Sequence, residues 1–150
     1  MRKKKVFLVS DPGGHLSELL VLAEAFDENW QKTYLTFPEN YAILENCYYF
    51  KRSKWILLDI LIFGFRIFWL LLIKRPDVVV STGSYIGMIA IALAKIFLRV
   101  PCIFMECSAQ VYTPSKTGRI VYHFTDLFLV QWEDLLPKYG DKAKYVGGVI

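Results

Sequence analysis

The sequence is poor in the residues that build disulfide and metal frameworks. Its 150 residues include three cysteines and two histidines. Cys47, Cys102 and Cys107 form no C-x-x-C pair, and no histidine stands at zinc-finger spacing from them. We therefore expect free thiols in a reducing cytoplasm, no metal site and no cofactor.

The common nucleotide-binding motifs are missing as well. Neither G-x-G-x-x-G nor G-x-x-x-x-G-K-S/T occurs, which argues against a Rossmann dinucleotide site and against a P-loop. A cleavable signal peptide is not expected either, because the basic residues 2–5 precede an apolar run of only four residues.

Apolar residues, by contrast, are abundant. Hydrophobic residues make up 55% of the chain and aromatic residues 16%, and the mean hydropathy is +0.34. A surface this apolar is either covered by a partner or in contact with lipid. The net charge is +4, and basic residues cluster at positions 2–5, 51–54 and 74–75. Because these clusters flank apolar segments, they favour an anionic membrane face over a nucleic acid. Their alternative interpretation is a solvated chain start and ordinary helix ends.

Short β-branched and aromatic runs alternate with segments of helical period along the chain. The predicted strands are residues 5–10, 32–37, 48–50, 77–81, 101–106, 127–131 and a last strand from residue 144. The predicted helices are residues 15–26, 55–73, 85–98, 116–124 and 133–139. This alternation predicts a single α/β domain, with a Rossmann-like open parallel sheet and helices on both faces.

Three loops of glycine and small polar residues follow the first, fourth and fifth predicted strands, with the sequences SDPGGH, VVVSTGSYIG and FMECSAQ. In an open parallel sheet, ligands bind beyond the carboxyl ends of the strands, where the first and fourth strands are usually neighbours. Glycine turns that open into helices present N–H groups and the positive end of a helix dipole, so they suit a phosphate. A purely steric need for glycine is the alternative at each turn. The predicted acceptor- or phosphate-binding residues are Gly13, Gly14, His15, Thr82, Gly83, Ser84, Tyr85 and Ser108.

Two residues in these loops are candidates for proton transfer in catalysis. His15 lies in the first turn of a predicted helix, where the dipole favours the neutral imidazole that accepts a proton. Glu106 is the one acid in the middle of the loop set, and its carboxylate could bind sugar hydroxyls, orient His15 or act as a base. The alternatives are a capping or packing role for His15 and a salt bridge between Glu106 and Arg119.

The apolar segment 55–73 is long enough to cross a bilayer. Its 19 residues are interrupted only by Asp59, Gly64 and Arg66, and a helix of this length just spans a core of about 30 Å. A crossing would divide one sheet between the two sides of a membrane, so we expect the helix to lie in the headgroup layer. Burial against a partner protein is the alternative. The predicted membrane-facing residues are Trp55, Ile62, Phe63, Phe65, Phe68 and Trp69.

A family resemblance is carried by four segments in order: PGGHLSELL, RPDVVVSTGSYIG, PCIFMECSAQVYTPSKTGRI and LFLVQWEDLLPKYGDKAKYVGGVI. The chain resembles bacterial capsule and exopolysaccharide biosynthesis subunits of the PssD and CpsF type. These are similar to the membrane-anchor subunit of the eukaryotic two-part N-acetylglucosaminyltransferase that extends dolichol-linked chitobiose. The chain departs from many relatives at Asp11 and Pro12, where they have further glycine or serine, and eukaryotic members add an amino-terminal membrane span.

The resemblance implies that the chain is the amino-terminal half of a GT-B glycosyltransferase, with a separate protein as the half that binds the nucleotide sugar. It also implies that Gly13, Gly14 and His15, with Gly83, Ser84 and Glu106, face a lipid-linked acceptor, and that no metal is needed. We expect the chain to be the membrane-associated acceptor-binding subunit of a two-component glycosyltransferase at the cytoplasmic face of the cell membrane. The enzyme is expected to transfer a sugar from a UDP-sugar to a polyprenyl-diphosphate-linked saccharide in capsule or exopolysaccharide synthesis. The alternatives are a non-catalytic membrane recruiter and a stand-alone phosphate-binding enzyme. The residues predicted to dock the partner subunit are Tyr145, Val146, Val149 and Ile150.

Overall fold

Strands and helices alternate as the hydrophobic pattern predicts. The computed structural model describes residues 2–38 and 44–149. The strands are β1 (Lys4–Val9), β2 (Trp30–Thr36), β3 (Cys47–Tyr49), β4 (Val78–Ser81), β5 (Cys102–Met105), β6 (Leu127–Val130) and β7 (Ala143–Tyr145). The helices are α1 (Gly14–Ala23), α2 (Ile56–Lys74), α3 (Ser84–Leu98), α4 (Lys116–Val121) and α5 (Leu136–Tyr139), with a 3₁₀ turn at Glu133–Leu135. Every predicted strand and helix is therefore confirmed, with small displacements of its ends.

The strands form one parallel sheet in the order β3-β2-β1-β4-β5-β6-β7. The order reverses between β1 and β4, which pair in parallel with Val9 opposite Ser81. The expectation that the first and fourth strands are neighbours is confirmed. This is the place in a doubly wound sheet where ligands bind, beyond the carboxyl ends of the strands.

Helices cover both faces of the sheet, and β1 shows why. Successive side chains of a strand point to opposite faces. Val6 and Leu8 pack with the apolar stripe of α1 on one face, whereas Phe7 and Val9 join the larger cluster that contains α2 and α3 on the other. Both faces of β1 are fully buried, so its continuous apolar run is the pattern of a central parallel strand.

Helix α2 packs on the sheet along a single stripe. Its buried residues are Asp59, Phe63, Ile67 and Leu71, which follow one another at four-residue intervals and so share one helical face. Phe63 is 1% exposed and packs against the rings of Phe37, Phe50 and Tyr85. The prediction that Phe63 faces a membrane is therefore wrong, because the helical period places it on the same side as Asp59.

The opposite face of α2 is apolar and exposed. Its exposed large side chains, including those of the residue before the helix, are Trp55, Ile56, Leu57, Leu58, Ile60, Leu61, Ile62, Phe65, Trp69, Leu72 and Ile73. Phe68 is half-buried against Phe97 of α3, and Phe97 and Ile96 extend the exposed apolar surface. We call this surface the α2 face. By length and composition, α2 is the one helix of the described residues that could cross a membrane.

Candidate functional site

The glycine turns after β1 and β4 lie side by side at one edge of the sheet. Because Val9 and Ser81 are paired, the chain leaves both strands at adjacent positions. Each turn opens directly into a helix, α1 at Gly14 and α3 at Ser84. Neither helix has an acidic residue in its first turn, so no side chain there offsets the positive end of either dipole.

Two hydrogen bonds hold the turns together through His15 and Thr82. The His15 Nδ1 lies 3.0 Å from the Thr82 carbonyl oxygen, and the Thr82 hydroxyl donates to the His15 carbonyl over 2.6 Å. A carbonyl oxygen only accepts, so Nδ1 carries the hydrogen in this bond. In the neutral imidazole the Nε2 atom then keeps its lone pair, which is the form that a general base requires.

Glycine is needed in both turns, for different reasons. Gly83 has a φ of +142°, and a Cβ there would lie 2.6 Å from Cε1 of the His15 ring. Gly13 has a φ of +84°, and a Cβ there would meet no atom within 4 Å. Gly83 therefore makes room for the imidazole, and Gly13 serves the backbone conformation alone. Ser84 adopts a φ of +74° without being glycine, a conformation of the kind that recurs at functional sites.

Glu106 is buried rather than open to the cleft. Its side chain is 1% exposed and accepts the N–H of Ser115 over 3.1 Å and the Ser115 hydroxyl over 3.0 Å. The Tyr139 hydroxyl and the N–H of Cys107 donate to the same carboxylate. Arg119 forms no ion pair among those of the described residues. The carboxylate thus fastens the loop after β5 to α4 and α5, and a catalytic role for Glu106 stays a prediction.

The neighbourhood of Glu106 also constrains Tyr139. Burial, together with the hydrogen bond to the Glu106 carboxylate, raises the pKa of Tyr139 well above its usual value. The tyrosine therefore remains a hydrogen-bond donor at any physiological pH. A Cβ at Gly118 would collide with the Tyr139 hydroxyl and with the Glu106 carboxylate, so this cluster also needs a glycine in α4.

Glu18 is a site residue that the sequence analysis missed. It lies three residues after His15 on α1 and is 1% exposed. Its Oε1 accepts the N–H of Ser108 over 2.7 Å, which joins α1 to the loop after β5. Its Oε2 has no hydrogen-bond partner among the described residues. The available signal was an acid inside the apolar stripe of α1, between Leu16 and Leu19.

A cation, Arg52, lies beside the turns in the segment that precedes α2. The Arg52 Nη2 contacts the Asp11 carboxylate at 2.7 Å, and its guanidinium carbon is 4.4 Å from the ring centre of Phe37 and 5.9 Å from that of Tyr85. Asp11, Arg52 and Tyr85 border a shallow cavity of about 390 Å³ that is also lined by Lys54 and Ile56. The cavity therefore connects the glycine turns to the α2 face.

The carboxy-terminal strand forms an edge of the sheet. β7 pairs with β6, and beyond it Val146 still donates to the Val130 carbonyl. Tyr145 is 46% and Val146 48% exposed, while Val149 is half-buried and donates its N–H to Gln131. Ile150, the fourth residue of the predicted docking set, lies outside the described residues.

Residues 55–149 match a family model described as oligosaccharide biosynthesis protein Alg14 like. The chain belongs to this family. A protein of Schizosaccharomyces pombe named UDP-N-acetylglucosamine transferase subunit alg14 is 27% identical over 97% of this chain and 83% of its own length. The human UDP-N-acetylglucosamine transferase subunit ALG14 is 30% identical over 51% of this chain and 37% of the human protein. The predicted relation to the eukaryotic transferase subunit is confirmed at the level of the family, and the bacterial PssD and CpsF type stays a prediction.

Solved structures confirm the predicted fold class, the Rossmann-like half of a GT-B architecture. Acinetobacter baumannii MurG matches with a TM-score of 0.77 and 16% identity, over 95% of this chain and 45% of that chain. The UDP-GlcNAc 2-epimerase of Neisseria meningitidis bound to UDP-GlcNAc matches with a TM-score of 0.70 and 14% identity, over 97% of this chain and 47% of that chain. At these identities the likeness concerns the fold alone. The chain spans less than half the length of these solved structures.

Proposed function

We propose that this chain is the acceptor-binding subunit of a two-component glycosyltransferase at a membrane surface. It holds a polyprenyl-diphosphate-linked saccharide while a second subunit supplies the UDP-sugar. We further propose, from the resemblance to the PssD and CpsF type, that the product is a precursor of a capsule or exopolysaccharide. The observation that carries the proposal is the His15–Thr82 contact, which joins two helix N-termini without acidic residues in their first turns at the strand-order reversal.

The diphosphate is proposed to bind between the two glycine turns. Backbone N–H groups in the first turn of a helix, together with the helix dipole, stabilise a phosphate. Two such turns side by side offer a set of N–H groups to each of the two linked phosphates, whereas a single turn would hold only one phosphate. The lack of a Cβ at Gly13, Gly14 and Gly83 lets phosphate oxygens approach the backbone closely. Ser84 adds a hydroxyl at the second turn, and the guanidinium of Arg52, paired with Asp11, lies nearby.

His15 is proposed as the general base. As the acceptor hydroxyl attacks the anomeric carbon of the donor, a new C–O bond forms, the bond to the UDP leaving group breaks, and the hydroxyl proton moves to His15 Nε2. The Thr82 carbonyl fixes the ring and its tautomer for this step, because Nδ1–H is already committed to it. We prefer His15 to Glu106 as the base, because the Glu106 carboxylate is buried and accepts four hydrogen bonds.

The lipid tail of the acceptor is proposed to follow the α2 face into the membrane. The inner stripe of α2 is packed on the sheet, so a helix lying in the headgroup layer keeps the sheet whole and buries the exposed aromatic side chains. Phe65 and Trp69 are 72% and 56% exposed on this face. The cavity at Arg52 and Lys54 lies between the α2 face and the glycine turns. One acceptor molecule could therefore place its lipid tail on the α2 face and its diphosphate at the turns.

A separate donor-binding subunit is proposed from the resemblance to the PssD and CpsF type, in which another protein binds the nucleotide sugar. The chain matches 45% and 47% of the length of two solved structures that share its fold, so it forms one wall of a two-domain cleft, and we propose that another polypeptide supplies the second. The exposed edge at Tyr145 and Val146 is the proposed docking site for that subunit. Val149 is joined to Gln131 and thereby holds the carboxy-terminal segment against the sheet.

The test is a transfer assay with the partner recovered by co-purification from membranes. UDP-N-acetylglucosamine and related UDP-sugars serve as donors, and a polyprenyl-diphosphate-linked saccharide serves as acceptor. His15→Asn keeps an N–H donor near the position of Nδ1 but removes Nε2. We expect kcat to fall by about 10²- to 10⁴-fold with a much smaller change in the KM for the acceptor.

The recruiter hypothesis predicts a different result. If this chain only holds the acceptor or the partner at the membrane, the His15→Asn variant transfers sugar at the unaltered rate. Glu106→Gln is the companion variant. If Glu106 were the base, this substitution would itself lower kcat by a large factor. Turnover of a UDP-sugar by this chain without a partner would overturn the two-component proposal.

A further inference from the structure

Three groups with metal-binding atoms converge where α1 meets the loop after β5. They are His15 and Glu18 on α1 and Cys107 in the loop, and their ligand atoms all lie within 4.8 Å of one another. Glu18 is buried, and His15 and Cys107 are half-buried. The pair on α1 is three residues apart and so shares one helical face. The cysteine is brought to this face by the hydrogen bond between Glu18 and the neighbouring Ser108.

Glu18 gives a second and independent indication of a ligand. Its side chain is 1% exposed, yet its Oε2 has no hydrogen-bond partner among the described residues. A buried carboxylate oxygen without a partner is unfavourable. A carboxylate oxygen of Glu18 belongs to the cluster, within reach of the imidazole and of the Cys107 thiol, which hydrogen-bonds to the carboxylate. A bound cation would take the place of the thiol proton and would also supply a partner for Oε2.

We propose that His15 Nε2, Glu18 Oε2 and Cys107 Sγ bind Zn²⁺. Nitrogen, oxygen and sulfur are the three ligand types that zinc takes from proteins, and three protein ligands with a water molecule in the fourth position are common. On binding, the Cys107 thiol loses its proton to solvent. The thiolate and the carboxylate then balance the two positive charges of the ion, which suits a partly buried site.

The hydrogen bonds around the cluster are those that zinc ligands usually make. A histidine that binds zinc typically donates its other ring N–H to a carbonyl or carboxylate, and a ligating carboxylate is itself hydrogen-bonded. Here His15 Nδ1–H is held by the Thr82 carbonyl, and Glu18 Oε1 accepts the N–H of Ser108. Ligand atoms around tetrahedral zinc lie about 3.3–3.8 Å apart. The three side chains would therefore close by about 1 Å, which the half-buried setting of His15 and Cys107 permits.

Zinc at this site has a consequence for the proposed function. The ion would occupy the Nε2 lone pair to which we assign proton transfer, so zinc binding would inhibit the transferase. This consequence rests on the proposed function, whereas the binding itself does not. The two are tested separately below.

The binding test uses the purified full chain with Zn²⁺ and with Co²⁺ as a spectroscopic probe. We expect one Zn²⁺ per chain by titration calorimetry, and a thiolate-to-cobalt charge-transfer band in the near-ultraviolet spectrum. Cys107→Ser removes that band and weakens Zn²⁺ binding by about 100-fold or more, beyond the 10- to 100-fold typical of lost outer hydrogen bonds. Glu18→Gln weakens binding similarly. Cys47→Ser is the matched control, because Cys47 is also a half-buried free cysteine, and it retains both signals.

The absence of stoichiometric Zn²⁺ binding would overturn the proposal, and so would a charge-transfer band that persists in Cys107→Ser or disappears in Cys47→Ser. Circular dichroism verifies that each variant is folded. If Glu18→Gln does not fold, the Cys107→Ser variant alone is sufficient for the binding test. In the transfer assay with partner, Cys107→Ser should remain active when Zn²⁺ is added while the unaltered chain is inhibited. Stoichiometric binding without inhibition would contradict the role of His15 as base and leave the zinc site standing.

Discussion

Gly83→Ala tests whether the second glycine turn is built around His15. Gly83 has a φ of +142° and a ψ of −167°, a region that is open to glycine and costs other residues about 1–3 kcal/mol. The new Cβ would lie 2.6 Å from the His15 ring, so the ring has to move away. That displacement breaks the bond to the Thr82 carbonyl, which contributes about 0.5–1.5 kcal/mol. We expect a total loss of about 1.5–4.5 kcal/mol in the free energy of unfolding.

Two matched glycines separate the backbone cost from the cost of moving the ring. Gly14→Ala meets no atom within 4 Å and has no positive φ, so we expect a change within about 0.5 kcal/mol. Gly13→Ala also meets no atom, but its φ is +84°, so we expect only the backbone cost of about 1–3 kcal/mol. Urea denaturation followed by circular dichroism in a mild detergent gives all three values.

The outcome that refutes the reasoning is a loss of stability in Gly83→Ala no larger than that in Gly14→Ala. Equal losses in Gly83→Ala and Gly13→Ala would leave the strained turn in place but would contradict the close approach of the imidazole. The His15 ring signals in a nuclear magnetic resonance spectrum provide an independent measure, because they should shift in Gly83→Ala and stay unchanged in Gly14→Ala.

Three further predictions concern other parts of the molecule. Tyr139→Phe removes one donor from the buried Glu106 carboxylate and should cost about 1–3 kcal/mol in urea denaturation. Burial opposes ionisation of Asp126, but hydrogen bonds from Lys95 and from a backbone N–H outweigh it and lower the pKa of Asp126 below its usual 3.8. The ionised Asp126 carboxylate therefore contributes its full stabilisation above about pH 3.8, and this stabilisation is lost as the pH falls through the lowered pKa. In Asp126→Asn the melting temperature should therefore fall less steeply as the pH is lowered. Phe65→Ser, at a position 72% exposed, should weaken binding to anionic phospholipid vesicles by about 10-fold or more.

Each of these variants has a control in the same chain. Tyr145→Phe changes an exposed tyrosine. An equal loss of free energy of unfolding in this variant would contradict a stabilising hydrogen bond from Tyr139 to Glu106. Asp134→Asn changes an exposed aspartate, and a flattened acid limb there would contradict the assignment to Asp126. Val21→Ser alters an exposed apolar side chain on α1, across the sheet from α2, and should leave vesicle binding unchanged. Phe63→Ser should unfold the protein rather than release it from vesicles.

The order of strands and helices was predictable because short-range patterns determine it. The apolar run 6–9 is too short for a helix, and a proline and two glycines follow it closely. This pattern predicts a buried strand. The neighbouring positions of the glycine turns then follow from the usual order of a parallel sheet. The structure adds only the register, in which Val9 lies opposite Ser81.

The inward face of α2 was harder to predict because this helix is apolar nearly all round. Phe63 and Phe65 look alike in sequence, and one is 1% and the other 72% exposed. What distinguishes them is a cluster of rings from Phe37, Phe50 and Tyr85 that receives only one side of the helix. Such partners come from distant parts of the chain, which the helical period alone does not identify.

The settings of Glu106 and Glu18 were also unpredictable from local sequence. Glu106 is bonded to Ser115 and Tyr139, which lie 9 and 33 residues away along the chain. Glu18 is bonded to Ser108, 90 residues away. An acid in a loop or on a surface helix is ordinarily assigned to solvent. Only the packing of α1 against the loop after β5 reveals that Glu18 is enclosed.

The central claim is that the two glycine turns bind a diphosphate together. A titration of the isotope-labelled chain with geranyl diphosphate, followed through its backbone amide signals, tests it most directly. The claim predicts saturable shifts of the amides of residues 13–16 and of residues 83–86 with the same dissociation constant. Shifts confined to the basic residues 2–5, or to one turn alone, would contradict it.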